Sequence, residues 1–371
     1  MEKIRTDMIE GAVRDAFFEL LRRGLWGSSV NNWGFTLSDS EWGLIYDESV
    51  RQTVAGLTYK GLETLSEEFL PSDRLLVDWT ACSAVTERVG RKMDATVAGL
   101  FGYLQDNGLH PVLLKGQAAA RLYSEPYART CGDIDVYFAS KEEWKAAAEL
   151  IRSRGIDAET KPDGSFCYLW QGVEVEHHRK LFDLCDPFKQ KWLGRLEKEC
   201  GFVAAEIGGR IVKVPSPMLN LLIMSSHIMK HYFGLGIGLR QLCDLSRAYD
   251  AGGYCPDDVR KMYDRAGILK WGCLLDSFLA EYIGLPVHFL PSGRSSLDNV
   301  AFTEYVLSGG NFGHYRQNDN FANSHIFLSV LSRKFRTLAS YLRQLTFSFS
   351  LAPAEAFWTI ATLAAGQFRR K

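Results

Sequence analysis

The spacing of apolar positions changes twice along the chain. Up to about residue 107 it is helical. Ile9, Val13, Phe17, Leu20 and Leu21 make one stripe, and Leu76, Trp79, Val85, Val89, Met93, Val97 and Phe101 make a second, spaced for burial. Ser38-Asp39-Ser40-Glu41 has the form of a capping box, so a helix is expected to start there and lead on toward Leu65. Pro71-Ser72-Asp73 starts a longer helix, which Gly108 ends. The spacing predicts a helical unit packed on whatever sheet follows.

From 108 to 214 short apolar runs and alternation take over. Val112-Leu113-Leu114 reads as a buried strand stopped by Lys115-Gly116, with a short helical piece through Ala118, Ala119, Ala120 and Leu122. Gly132 opens a second strand carrying Asp133 and Asp135 on one face, with Ile134 and Val136 on the other. Ser140-Lys141-Glu142-Glu143 caps a helix that closes near Gly155. Residues 166–170 and 173–178 flank Gln171-Gly172 as a hairpin, and 203–214 form another around Gly208-Gly209. In the strand VEVEHH, Val173 and Val175 should face the core, leaving Glu174, Glu176 and His178 together on the other side.

Pro215 returns the chain to helices. Met218, Leu221, Leu222, Ser225, Ile228, Met229 and Tyr232 form one apolar face, interrupted by glycines at 234, 236 and 238. Further helices are expected over 257–265 and 269–283, the latter stopped by Gly284-Leu285-Pro286. The polar segment 308–320 is placed to cover a cleft. The tail from 331 carries seven Lys and Arg against one Glu. Such a tail can meet anionic membrane or nucleic acid, although a solvated helix face docked on its own domain is the commoner outcome.

Composition narrows the class. With a formal net charge of −1, no global field draws nucleic acid or membrane to the chain. Eight scattered cysteines without a Cys-x-x-Cys pair suit reduced thiols in a cytoplasmic protein. The N-terminus is charged from Glu2 and lacks an apolar signal core, and the longest uncharged apolar run, 356–366, is too short to span a bilayer.

The candidate chemistry sits on the Asp133 strand. Two carboxylates on one face repel unless a cation lies between them, and hard oxygen ligands suit Mg²⁺ (or Mn²⁺), hence phosphate chemistry. Asp-x-Asp alone carries little weight, since a chain of this length holds about one by chance. The order strand, Lys-Gly turn, short helix, Arg129, Gly132, Asp-Ile-Asp carries more. His227 and His231 lie four apart, but Ile228 stands where a metalloprotease needs Glu. Each histidine is more often a hydrogen-bonded core residue than a reacting group. Arg240 and Asp244, also four apart, suit an internal ion pair or a substrate contact.

The run from Leu113 to Val136, "LKG…LY…P…R…GDID", resembles the uncharacterised bacterial nucleotidyltransferase family, and HIMKHYFGLGIGLRQLCDL resembles its helical half. The turn is commonly Gly-Ser in that superfamily and is Gly116-Gln117 here. The resemblance implies an α+β fold, with a mixed-sheet core at 108–214 between helical regions at 1–107 and 215–371. It implies Mg²⁺-dependent transfer of an NMP group from an NTP to a small-molecule or protein acceptor. Asp133, Asp135 and Glu176 would be the catalytic, metal-binding acids. Glu176, two residues before His178, fits the family's third-acid pattern, while Glu174 could take that place after a shift of one pair. Lys115, Gly116, Gln117, Arg129, Glu174 and His178 would contact the nucleotide or its metal. The rival readings are an Asp-x-Asp glycosyltransferase and a non-catalytic nucleotide- or protein-binding member of the fold.

Overall fold

The computed structural model describes residues 9–27, 33–161, 164–234, 236–291, 293, 299–311 and 346–368. Four helices precede the sheet: α1 (Gly11–Trp26), α2 (Asp39–Arg51), α3 (Ala55–Leu62) and α4 (Asp73–Asp106). The Ser38–Glu41 capping box forms as its sequence requires. The helix it starts does not run on toward Leu65, because Thr53 turns to φ 56° and separates α2 from α3.

Seven strands follow: β1 (Val112–Leu114), β2 (Ile134–Tyr137), β3 (Ala158–Thr160), β4 (Phe166–Trp170), β5 (Val173–His178), β6 (Phe202–Ile207) and β7 (Arg210–Pro215). They form one mixed sheet in the order β3-β4-β5-β2-β1-β7-β6. Both predicted hairpins are present. The β4–β5 turn has Gln171 and Gly172 at φ 51° and 77°, and the β6–β7 turn has Gly208 and Gly209 at 55° and 78°. Positive φ at both central positions matches the twist of the paired strands. Between the strands lie α5 (Gly116–Ala120), α6 (Lys141–Ser153) and α7 (Gln190–Cys200).

The C-terminal half holds α8 (Pro217–Phe233), α9 (Leu239–Asp250), α10 (Pro256–Ala266), α11 (Leu269–Phe278) with a π-helical turn at Leu279–Ile283, α12 (Asn299–Gly309) and α13 (Pro353–Phe368). Among the described residues no helix is long and apolar enough to cross a membrane. Of the segment 308–320, residues from 312 on lie outside the described residues, as do 331–345 and 369–371 of the tail.

Two cores divide these elements. Ile134, Val136, Val175, Phe166 and Tyr168 line one face of the sheet under α6 and the later part of α4, from Met93 to Leu104. Val112, Leu114 and Tyr137 face the other way, into a helical core shared by α1, α3, α8, α9 and α11. The N-terminal helices therefore do not all pack on the sheet: α1 to α3 join the C-terminal helices. Gly24 and Gly61 let α1 and α3 touch backbone to backbone, since a Cβ on Gly24 would lie 1.7 Å from the Leu57 carbonyl oxygen. The 34-residue α4, about 50 Å long, bridges both cores. Trp79 is buried in one and Met93 in the other, while Val85 and Val89, expected to be buried, fall in the gap and are 48% and 40% exposed.

Candidate active site

The sheet face that carries Asp135 and Tyr137 looks toward α8 and α9, and a cavity of about 270 Å³ lies between them. Parallel pairing of β2 with β5 sets Asp135 beside Glu176 and Tyr137 beside His178. Antiparallel pairing of β1 with β2 sets Leu114 beside Asp135, so the turn after β1 arrives at the acids. At that turn Lys115 has φ 47° and ψ −139°, a region that side chains rarely occupy. Gly116 follows at φ 35°, and a Cβ there would lie 3.3 Å from the Asp133 carbonyl oxygen. The turn is thus held tight against the Asp-x-Asp strand, and its strain sits where a ligand would be gripped.

The two aspartates occupy different environments. Asp135 is buried, and one of its oxygens meets both His178 Nε2 and, at 3.3 Å, Lys115 Nζ. Burial works to raise its carboxyl pKa, but Lys115 and His178 outweigh burial and hold it well below the usual range. Asp133 lies at the rim, open to solvent, and the charge of Asp135 raises its pKa. Lys115 stays charged: burial opposes this, and Asp135, Asp183 and Asp133 together prevail.

On β5 the sharing of acids is different. Glu176 Oε2 accepts from Lys161 Nζ at 2.8 Å, and Glu176 Oε1 is 3.7 Å from His178 Nδ1. Burial would raise the Glu176 pKa, and Lys161 with His178 lowers it instead. Glu174 is 55% exposed, meets Lys161 at 3.3 Å and does not line the cavity. Its expected part in ligand contact is therefore not supported by its position. His177 points to the opposite face of the sheet, where it is fully buried against Tyr168 Oη at 2.8 Å.

Helices supply the other wall through Met224, His227, Ile228, Lys230 and His231 of α8 and Arg240, Gln241 and Asp244 of α9. Asp183, on the segment after β5, accepts from Lys230 Nζ at 2.7 Å and lies 2.8 Å from His227 Nδ1. Burial disfavours the Asp183 charge, but its partners hold its pKa well below the usual range. Facing an ionised carboxylate, His227 Nδ1 must be the donor, which leaves Nε2 with its lone pair. Burial first and Lys115 second lower the His227 pKa, so the ring is neutral near pH 7.

Two further expected contacts change meaning. Gln117 turns into the protein, donating to Asp94 and accepting from Cys131 Sγ at 2.9 Å, and does not line the cavity. Its amide is satisfied internally, so it does not meet the nucleotide as expected. Arg129 lines the cavity but grips Asp244 with Nε at 2.6 Å and Nη2 at 2.7 Å, while Tyr123 Oη donates to the same carboxylate at 2.6 Å. Asp244 is therefore the partner of Arg129. Arg240 Nη1 donates to Thr130 O at 3.0 Å and so ties α9 to the segment leading into Asp133.

Sequence reasoning missed Lys161, Asp183 and Lys230. The acids on the half-buried face of VEVEHH called for a cationic neighbour, which is the one signal that pointed toward Lys161. Asp183 sits in an aperiodic segment and gave none. Around the cavity the cations Lys115, Arg129, Lys161, Lys230 and Arg240 face the carboxylates of Asp133, Asp135, Glu176 and Asp244. Asp183, which holds Lys230, adds a fifth carboxylate against these five cations, so the formal charges around the cleft balance.

A family model described as "Uncharacterised nucleotidyltransferase" matches residues 38–280. The chain belongs to this nucleotidyltransferase family. The match runs from α2 into the π-helical turn after α11, so both walls of the cleft fall within it, and membership supports a general nucleotidyltransferase role. Among solved structures, the chain is similar to an antigenic nucleotidyltransferase-like protein from Paracoccidioides brasiliensis. The two are 14% identical over 57% of this chain and 94% of that one, with a TM-score of 0.34. No curated protein matches the chain.

The donor chemistry fits one hard cation at Asp133 and Asp135, where the raised Asp133 pKa marks negative charge that is not fully offset. A ready three-ligand site is a different matter. Among the described residues no three His, Cys, Asp or Glu side chains are placed to hold a metal ion together.

Proposed function

We propose that this family member transfers an NMP group from an NTP to an acceptor, with release of pyrophosphate. The observation that carries the reading is the Asp133–Asp135 pair at the mouth of a cleft lined by Lys115, Lys161 and Lys230, beside the strained Lys115-Gly116 turn. Asp133 and Asp135 would hold Mg²⁺ (or Mn²⁺), which supplies neutralisation of triphosphate charge when bound. Lys115 is positioned to meet the phosphates leaving as pyrophosphate, and Gly116 lets backbone approach them closely. In the transfer an acceptor oxygen bonds to the α-phosphorus as the bond to the β-phosphate oxygen breaks. Pyrophosphate leaves with that electron pair. The acceptor proton passes to Nε2 of His227, which Asp183 orients through Nδ1.

The test is incubation with each of the four NTPs and Mg²⁺, following pyrophosphate release and the mass of candidate acceptors, the chain itself included. Pyrophosphate with a mass gain of one NMP is the expected result. A binding-only reading draws support from the Lys161–Glu176 pair, and it requires nucleotide to be retained with no pyrophosphate formed.

A further inference from the structure

Glu176 lies opposite Asp135 in the parallel register, where a third acid could complete a site for two divalent ions. One of its oxygens, Oε2, is already taken by a cation. Lys161 Nζ donates to Glu176 Oε2 at 2.8 Å and to Glu174 Oε1 at 3.3 Å, so a single ammonium bridges both acids of β5. The lysine is anchored as well. Its amide donates to Ser165 O at 2.8 Å, and its carbonyl accepts from Gly164 N at 2.9 Å.

Burial makes this pair hard to break. The Glu176 side chain is 13% exposed and that of Lys161 33%, so solvent and salt screen their attraction less than they would a surface pair. A divalent ion that took Glu176 would displace Lys161 and leave it with Glu174, which is 55% exposed and correspondingly weak as a partner. Among the described residues no ion pair claims Asp133 in this way, and Lys115 and His178 both sit on Asp135 instead.

Building on the nucleotidyl-transfer reading above, we propose that Lys161 occupies the place of a second divalent cation. The site then works with one ion, held by Asp133 and Asp135, and Lys161 supplies the second positive charge beside Glu176. The inference concerns charge placement, and ion counting reads it directly without an acceptor.

The full chain is titrated with Mn²⁺ in the presence of α,β-methylene-ATP, which cannot release pyrophosphate, and bound Mn²⁺ is counted by electron paramagnetic resonance. One ion per chain is expected for the parent and for Lys161→Arg. Lys161→Met frees Glu176 and should take up a second ion, and adding Glu176→Gln to that variant should return the count to one. Two ions on the parent, or one on Lys161→Met, would overturn the proposal. If Asp133→Asn holds Mn²⁺ and the analogue as well as the parent does, or if the parent holds neither, the underlying nucleotidyl-transfer reading fails instead. Melting temperatures of all variants confirm that each count refers to folded protein.

Discussion

Asp133 and Asp135, at the start of β2, and Glu174 and Glu176, on β5, are two pairs of acids with the same two-residue spacing, yet their charges are managed in different ways. On β5 one lysine, Lys161 from just after β3, meets both Glu174 and Glu176. On β2 Lys115 and His178 both serve Asp135, and Asp133 is left at the rim with a raised pKa. Identical spacing therefore gives one pair open to an added cation and one pair closed to it. What decides is the neighbour that each pair meets: the Lys115-Gly116 turn beside Asp135, and Lys161, just after β3, beside Glu174 and Glu176.

The largest expected effects split the β2 pair. Asp135→Asn should cut pyrophosphate release by about 10³-fold or more. It should also lower stability by about 3–5 kcal/mol, because Lys115 and His178 lose a buried partner. Asp133→Asn should lose activity to a similar degree with an unchanged or slightly higher melting temperature, since it removes a repulsion. Equal destabilisation of the two variants in denaturant melts would mean that the two sites do not differ as described.

The β5 pair should respond less and unequally. Glu176→Gln is expected to cost about 10²-fold in kcat/KM by loosening Lys161, whereas Glu174→Gln should cost less than about tenfold. Equal losses in steady-state assays would erase the distinction drawn from their exposure.

At the turn, backbone and charge can be separated. Lys115→Ala and Lys115→Gly should both weaken NTP binding by roughly tenfold, and NMP binding much less, in calorimetry. Lys115→Gly should be the more stable of the two by about 1 kcal/mol, because glycine accepts φ 47° without strain. Equal stability would place the strain elsewhere.

A separate effect, seen in stability alone, lies on the far side of the sheet. Burial lowers the His177 pKa from 6.5 to about 3. Below pH 6.5 the unfolded chain binds a proton that the folded chain refuses, so stability should fall by about 2 kcal/mol between pH 7 and pH 5. Asp135 works in a different window: its lowered pKa contributes stability above the usual carboxylate range, and that contribution is lost only at lower pH. His177→Gln should flatten the slope between pH 7 and 5 in denaturant titrations, and an unchanged slope would assign it to other groups.

What could be read in advance was whatever strand alternation dictates. Asp133, Asp135, Glu176 and His178 were placed on a shared face because a period of two leaves no other choice once Ile134, Val136 and Val175 are buried. Gln117 was misread because adjacency to Gly116 says nothing about which way a helical side chain turns, and Asp94, 23 positions earlier, claims it. Helical spacing suggests Arg240 as a partner for Asp244, whereas the bidentate partner, Arg129, comes from 115 positions away. Lys161 and Asp183 lie outside the periodic helices and strands, so only the folded chain brings them to the acids. Val85 and Val89 show the opposite failure, a helical stripe that continues through a gap between two cores.

The most direct test of the difference between the two strands is the anomalous scattering of Mn²⁺ in crystals soaked with Mn²⁺ and α,β-methylene-ATP. One manganese peak within coordination distance of Asp133 and Asp135 is expected, with Lys161 still on Glu176. A second peak on Glu176 with Lys161 displaced, or a single peak on β5 and none on β2, would contradict the account.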